Sequence, residues 1–93
     1  ELMVVIFTKN RTPALKHIGF SVSKKLGNSV CRSRVKRRLR SAFDTVFGEV
    51  KPGYNIIVIA RAPILSADFS DICAAARSLL RRGDLLKKEE NKE

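Results

Sequence analysis

The stretch Ile18-Gly19-Phe20-Ser21-Val22-Ser23-Lys24-Lys25-Leu26-Gly27-Asn28-Ser29-Val30-Cys31-Arg32-Ser33-Arg34-Val35-Lys36-Arg37 decides how this chain is read. Its first third alternates. Ile18, Phe20 and Val22 point one way, and Gly19, Ser21 and Ser23 the other, as in a strand with one apolar and one small polar face. The period then changes at a basic turn, Lys24 to Asn28. From Asn28, a suitable N-cap, the spacing predicts a helix over 29–47 closed by Gly48. Cys31, Val35, Leu39, Ala42, Phe43 and Val46 fall on one helical stripe that should cover a sheet. A strand feeding a turn and then an amphipathic helix is a unit of α/β architecture.

Working outward, Leu2 to Phe7 is apolar and partly β-branched and reads as a buried strand. Thr8 to Lys16, with Asn10, Arg11 and Pro13, reads as a loop, so this strand and the next are expected to pair as a hairpin. On the other side, Lys51-Pro52-Gly53 is a turn. Tyr54 to Ala60 is a near-continuous apolar run, expected to be a central strand buried on both faces. Arg61-Ala62-Pro63 ends it. A second helix is predicted over 69–82, with Asp68 and Asp71 as an acidic capping box and Gly83 as the stop. The order strand, strand, helix, strand, helix gives an α+β fold: a small two-layer α/β sandwich with a short mixed sheet, a basic crossover helix and a C-terminal helix. Residues 1–86 read as one α/β domain. Residues 87–93 read as a charged, disordered tail. The 93 residues suit one domain with a modest core.

No apolar run approaches the roughly 20 residues of a membrane helix. The start lacks a basic leader and a small-residue cleavage site. It opens on Glu rather than Met, which fits a fragment or an edited start. Cys31 and Cys73 form no CxxC pair and there is one histidine, so no zinc pattern exists; both read as reduced thiols of a cytoplasmic protein.

The net charge is +10, and its distribution is the sharper signal. From Leu2 to Phe43 there are eleven Lys and Arg and no acid, whereas from Asp44 to Glu93 there are eight of each sign. A segregated excess makes a polyanion-facing surface. Within Arg32 to Arg40, six of nine residues are cationic. An ordinary solvated face mixes signs at i,i+4, but Arg32, Lys36 and Arg40 repel one another at that spacing, as do Arg34 and Arg38. The cations also crowd the N-terminal half of the helix, against its dipole; bound phosphates reverse that sign. Lys24 and Lys25 add to the same end, and Gly27 supplies a tight turn.

The aromatic residues are few. Phe43, Phe47 and Phe69 read as core. Phe7 and Phe20 lie on strands and could stack on unpaired bases, although core packing is the commoner role. There is no acidic cluster for two-metal nuclease chemistry, no Walker motif and no Ser-His-Asp set, and His17 has no evident partner. Three readings stand at this point. One is an RNA-binding domain without a protein active site. Another is a non-catalytic ribosomal or assembly protein. The third is a helix for the DNA major groove, which the scarcity of base-reading side chains disfavours.

The quoted stretch closely resembles the signature of the bacterial ribonuclease P protein component: a strand ending in SVSKK, a GN turn, then a helix opening with an RNR motif followed by KR. Ile56 to Arg61 resembles the strand that follows in that family. Ser33 stands where the family has the middle Asn, and the family's usual N-terminal basic helix and first short strand are not among these residues. The resemblance implies a left-handed strand-helix-strand crossover, against the right-handed rule. It implies a non-catalytic subunit whose RNA partner carries the active site, cleaves precursor tRNA at the mature 5′ end and holds Mg²⁺. No cofactor is implied on the protein itself, and no protein oligomer or membrane is required. Carried over by position, Lys24, Lys25, Asn28, Arg32, Arg34, Lys36, Arg37 and Arg40 are the implied RNA contacts. Phe7, Ser21 and Arg61 are the implied walls of the cleft for the single-stranded 5′ leader.

Overall fold

The computed structural model describes residues 1–12 and 15–87. Three strands, β1 (Met3–Lys9), β2 (Lys16–Ser21) and β3 (Tyr54–Ala60), form one sheet. Two helices, α1 (Ser29–Asp44) and α2 (Phe69–Arg82), accompany it, with short 3₁₀ turns at Lys24–Leu26, Phe47–Glu49 and Ala62–Ser66. The sheet order is β1-β3-β2. β3 pairs antiparallel with β1 (Val5 opposite Val58) and parallel with β2 (Ile18 opposite Ile56). The expected β1–β2 hairpin therefore does not form: β3 inserts between them. The expected loop is shorter than Thr8–Lys16, because Thr8 and Lys9 end β1 and Lys16 begins β2, and its two ends are pinned by backbone bonds from Asn10 N–H to Gly53 O (2.9 Å) and from Gly53 N–H to Leu15 O (2.6 Å). α1 then carries the chain from β2 to β3, its parallel neighbour, as a parallel pair demands.

The period-2 rule places Met3, Val5, Ile56, Val58, Ala60, Ile18 and Phe20 on one face. Both helices cover that face. Val35, Leu39, Ala42 and Phe43 of α1 and Ile72, Ala76 and Leu80 of α2 are buried against it, and Phe20 meets Phe43 edge-on at 5.6 Å between ring centres. The other face has no such cover, so β3 is not buried on both sides as its composition suggested: Ile57 is 49% exposed and its β1 partner Ile6 48%. An all-apolar run signals a buried strand only when a second layer exists to bury it.

The helix ends differ from expectation in small ways. α1 stops at Asp44, and Thr45 closes it by donating its hydroxyl to Ala42 O at 2.6 Å. Phe47 then begins a separate turn, is 37% exposed and is not core; Phe69, at the solvent side of the α2 start, is also exposed. The Asp68 side chain makes no capping bond. α2 ends in a Schellman arrangement in which the left-handed residue is Asp84 (φ 58°), not Gly83, with Leu85 N–H donating to Leu80 O at 2.9 Å. The fully buried Leu85 and the backbone bonds Lys51 N–H to Leu85 O and Lys87 N–H to Glu49 O then fasten residues 85–87 beside the α1–β3 connection. Arg77 adds a bidentate pair with Glu49 (3.0 and 2.9 Å), and this hydrogen bonding holds the Glu49 carboxyl below its usual range. Lys87 of the expected charged tail is thus attached; the rest of that tail lies outside the described residues.

Candidate nucleic-acid interface

The basic helix is held from both ends and both flanks. Ser23 opens the Lys24–Leu26 turn by accepting from Lys25 N–H at 3.0 Å, which leaves Lys24 and Lys25 exposed over the buried anchor Leu26. Gly27 follows at φ 134°, a region that L side chains avoid, and a Cβ there would lie 3.0 Å from both Cβ and Sγ of Cys31. Asn28 then caps α1, its side-chain oxygen accepting from Cys31 N–H at 2.9 Å. Replacing Gly27 with Ala is expected to cost about 1–3 kcal/mol of stability in urea denaturation, through φ strain and crowding together. Gly19→Ala, with nothing within 4 Å of the added Cβ, should cost far less; equal losses would disprove the strain account.

The six cations of Arg32–Arg40 divide by direction. Arg34, Lys36, Arg37 and Arg40 are exposed. Arg32 is half-buried, with its Nε donating to Gly27 O at 3.2 Å, so it is laid along the turn that carries Lys24 and Lys25. Arg38 turns instead to the link between the Ala62–Ser66 turn and α2, where its guanidinium donates to Ala67 O at 2.9 Å. It ties α1 to the segment that leads into α2, a role that its place in a charge run concealed. Arg32, Lys36 and Arg40 recur at i,i+4 along one side of α1, and at the end of that row the Arg40 guanidinium lies 6.0 Å from the centre of the Phe20 ring of β2. No acid occupies the first turn of α1, so the positive helix end and its cations act together on an anion.

The expected cleft wall is only partly assembled. Ser21 and Arg61 lie at one end of the open sheet face, Ser21 opposite Ile59 and Arg61 directly after β3. A surface groove of about 400 Å³ lined by Ser23, Lys25, Leu26, Ile59, Ala60 and Arg61 joins that end to the basic turn. Phe7 is not with them. It sits on the helix side at the rim of β1, edge-on to Tyr54 at 6.0 Å and against Gly83. The residues on the open face are its neighbours in parity, Val4, Ile6 and Thr8 of β1, with Asn55, Ile57 and Ile59 of β3 and His17, Gly19 and Ser21 of β2. Six consecutive apolar residues, Leu2 to Phe7, contain no alternation, and a shift of one residue exchanges the faces. The burial of Met3 supplied the parity that composition lacked.

The ribonuclease P family profile matches residues 1–84. The chain belongs to the ribonuclease P family. Curated relatives support the same placement. The ribonuclease P protein component of Clostridium beijerinckii is 38% identical over 96 residues, covering 97% of this chain and 77% of its own. That of Listeria innocua is 38% identical over 88 residues, covering 95% and 74%. Among solved structures, the Staphylococcus aureus RNase P protein is similar with TM-score 0.80 and 31% identity over 92% of this chain and 78% of that one. The Thermotoga maritima RNase P protein gives 0.79 and 30% over 88% and 77%. The role that goes with this ribonuclease P membership is that of a protein subunit beside an RNA partner, and nothing favours the ribosomal or assembly alternative. Among the described residues no helix is long and apolar enough to cross a membrane.

Proposed function

We propose that this subunit grips the catalytic RNA of ribonuclease P through Lys24, Lys25, Arg32, Arg34, Lys36, Arg37 and Arg40. Its open sheet face, at the Ser21–Arg61 end, guides the single-stranded 5′ leader of precursor tRNA. The observation that carries the reading is the continuity of two surfaces. The groove between Lys25 and Arg61 connects the basic turn ahead of the cationic helix to the end of an uncovered face that bears Ile6 and Ile57. Cations take phosphates regardless of sequence, and an exposed apolar face takes the planes of unpaired bases. Asn28 serves this interface as the cap that aims the helix. Phe7 has no part in it.

In this proposal bond cleavage belongs to the RNA. It assigns the Mg²⁺ to the RNA as well, and no chemical step to a protein group. What the protein supplies is charge neutralisation and alignment, which matter most when Mg²⁺ is scarce. Reconstitution with a bacterial ribonuclease P RNA and a precursor tRNA tests this. At low Mg²⁺ the protein should raise the cleavage rate, and more for a long leader than for a leader of one nucleotide. Equal stimulation for both leaders would remove the leader role and keep the RNA role, and no stimulation would remove both.

A further inference from the structure

A second groove, of about 260 Å³, lies between the C-terminal half of α1 and the outer edge of β2, lined by Lys16, His17, Ile18, Phe20, Arg40, Phe43, Asp44 and Phe47. It is on the opposite side of the basic helix from α2. We propose that it binds one unpaired nucleotide of the RNA partner, with the base stacked on Phe47 and the phosphate held by Arg40. The inference rests on the RNA-binding reading of α1 and extends that surface to a defined subsite.

Four observations carry it. The Arg32–Lys36–Arg40 row ends in this groove, so an RNA strand following the row is led into it. Phe47 is 37% exposed although Val46 and Val50 beside it are fully buried, so the ring is the part of the turn kept out of the core. The ring is also held in place. Lys16 Nζ donates to Phe47 O at 2.6 Å and Val50 O at 3.0 Å and sits 4.4 Å from the ring centre, which fixes the turn and makes one ring face a cation site. Burial lowers the pKa of Lys16, with a further push from Lys87, as expected for an ammonium committed to structure rather than to solvent. Lastly, β2 is an edge strand, leaving backbone donors and acceptors for the hydrogen-bonding edge of a base. Asp44, at the Phe47 end, repels a phosphate but accepts from a base N–H, which sets the orientation. Duplexed bases keep their faces against one another, so the occupant is an unpaired nucleotide.

The chain contains no Trp, so Phe47→Trp creates a single reporter. Ribonuclease P RNA and a single-stranded twelve-nucleotide oligoadenylate should quench its fluorescence, and a duplex RNA of the same length should not. Phe69→Trp, on the far helix, should stay unquenched. Phe47→Ala and Phe47→Leu should each weaken binding about tenfold while leaving the log–log salt slope unchanged, because no phosphate contact is lost. Leu keeps the apolar packing without the ring, so wild-type affinity in Phe47→Leu overturns the proposal, as does an unquenched Phe47→Trp bound to RNA. A chain dimer that Phe47→Ala dissolves would assign the groove to a strand of a second copy and overturn it too. If Arg32→Ala with Arg34→Ala still weakens binding while the Phe47 variants do not, only this subsite falls. If no RNA binds at all, the wider reading falls with it.

Discussion

Replacing Arg32 and Arg34 together with alanine should weaken binding of ribonuclease P RNA about 25- to 60-fold at 0.1 M monovalent salt. Each phosphate neutralised contributes roughly 0.7–0.9 of a decade for every tenfold dilution of salt, so two lost contacts remove about 1.4–1.8 decades relative to 1 M. The slope of log affinity against log salt should become shallower by the same 1.4–1.8. Fluorescence anisotropy across a salt series reads both quantities. The control is the pair Arg81→Ala and Arg82→Ala, which removes equal charge from the exposed end of α2. The α1 pair should lose far more. Equal losses would mean that net charge alone attracts the RNA, and that the site is not where α1 places it. Arg32 has a second consequence. Its Nε bond to Gly27 O holds the Lys24–Lys25 turn, so Arg32→Ala alone should exceed Arg34→Ala alone.

The largest effect on stability is expected at Phe43. Its side chain is 1% exposed, and its ring packs edge-on against Phe20 of β2, so it joins the basic helix to the sheet. Phe43→Ala should cost about 3–5 kcal/mol, from lost transfer free energy and the cavity left behind. In a domain of this size each kcal/mol moves the thermal midpoint by roughly 4–8 °C, so the midpoint should fall by at least about 12 °C. Total stability of small domains is about 5–15 kcal/mol, so a large part of the margin disappears. RNA should partly restore the midpoint, because a ligand that binds only the folded chain stabilises it by mass action. A fall of less than about 1 kcal/mol in urea denaturation would show that α1 is not anchored through this residue.

Much of the fold was readable along the chain because its signals are local. The alternation of Ile18–Val22 and the 3.6-residue stripe Val35–Leu39–Ala42–Phe43 each repeat a period that only one backbone geometry satisfies, and Asn28 marks its own helix start because a cap acts within three residues. The charge signal was equally plain, since a run of cations without acids needs no fold to be recognised. The SVSKK, GN and RxR run also carried the family resemblance.

What the chain order did not contain was which strand lies beside which, and on which side a layer is missing. Consecutive strands usually pair, but here β3 separates β1 from β2. Pairing is settled by the α1 crossover and by where the helices find apolar surface, which are long-range matters. The same cause moved Phe7 to the helix side and put Ile6 and Ile57 in the open. Within an unbroken apolar run, parity belongs to the partner strand and the covering layer, not to the run. Arg38 and Phe47 exchanged roles for a related reason. A charge run does not reveal which member meets a neighbouring carbonyl, and an aromatic at the end of a stripe does not reveal that the helix has already stopped. The sequence by itself thus determined the elements, the cationic helix and the kind of partner. Only the packing of those elements decided the open face, the groove that joins it to the basic turn, and which of the cations remain exposed.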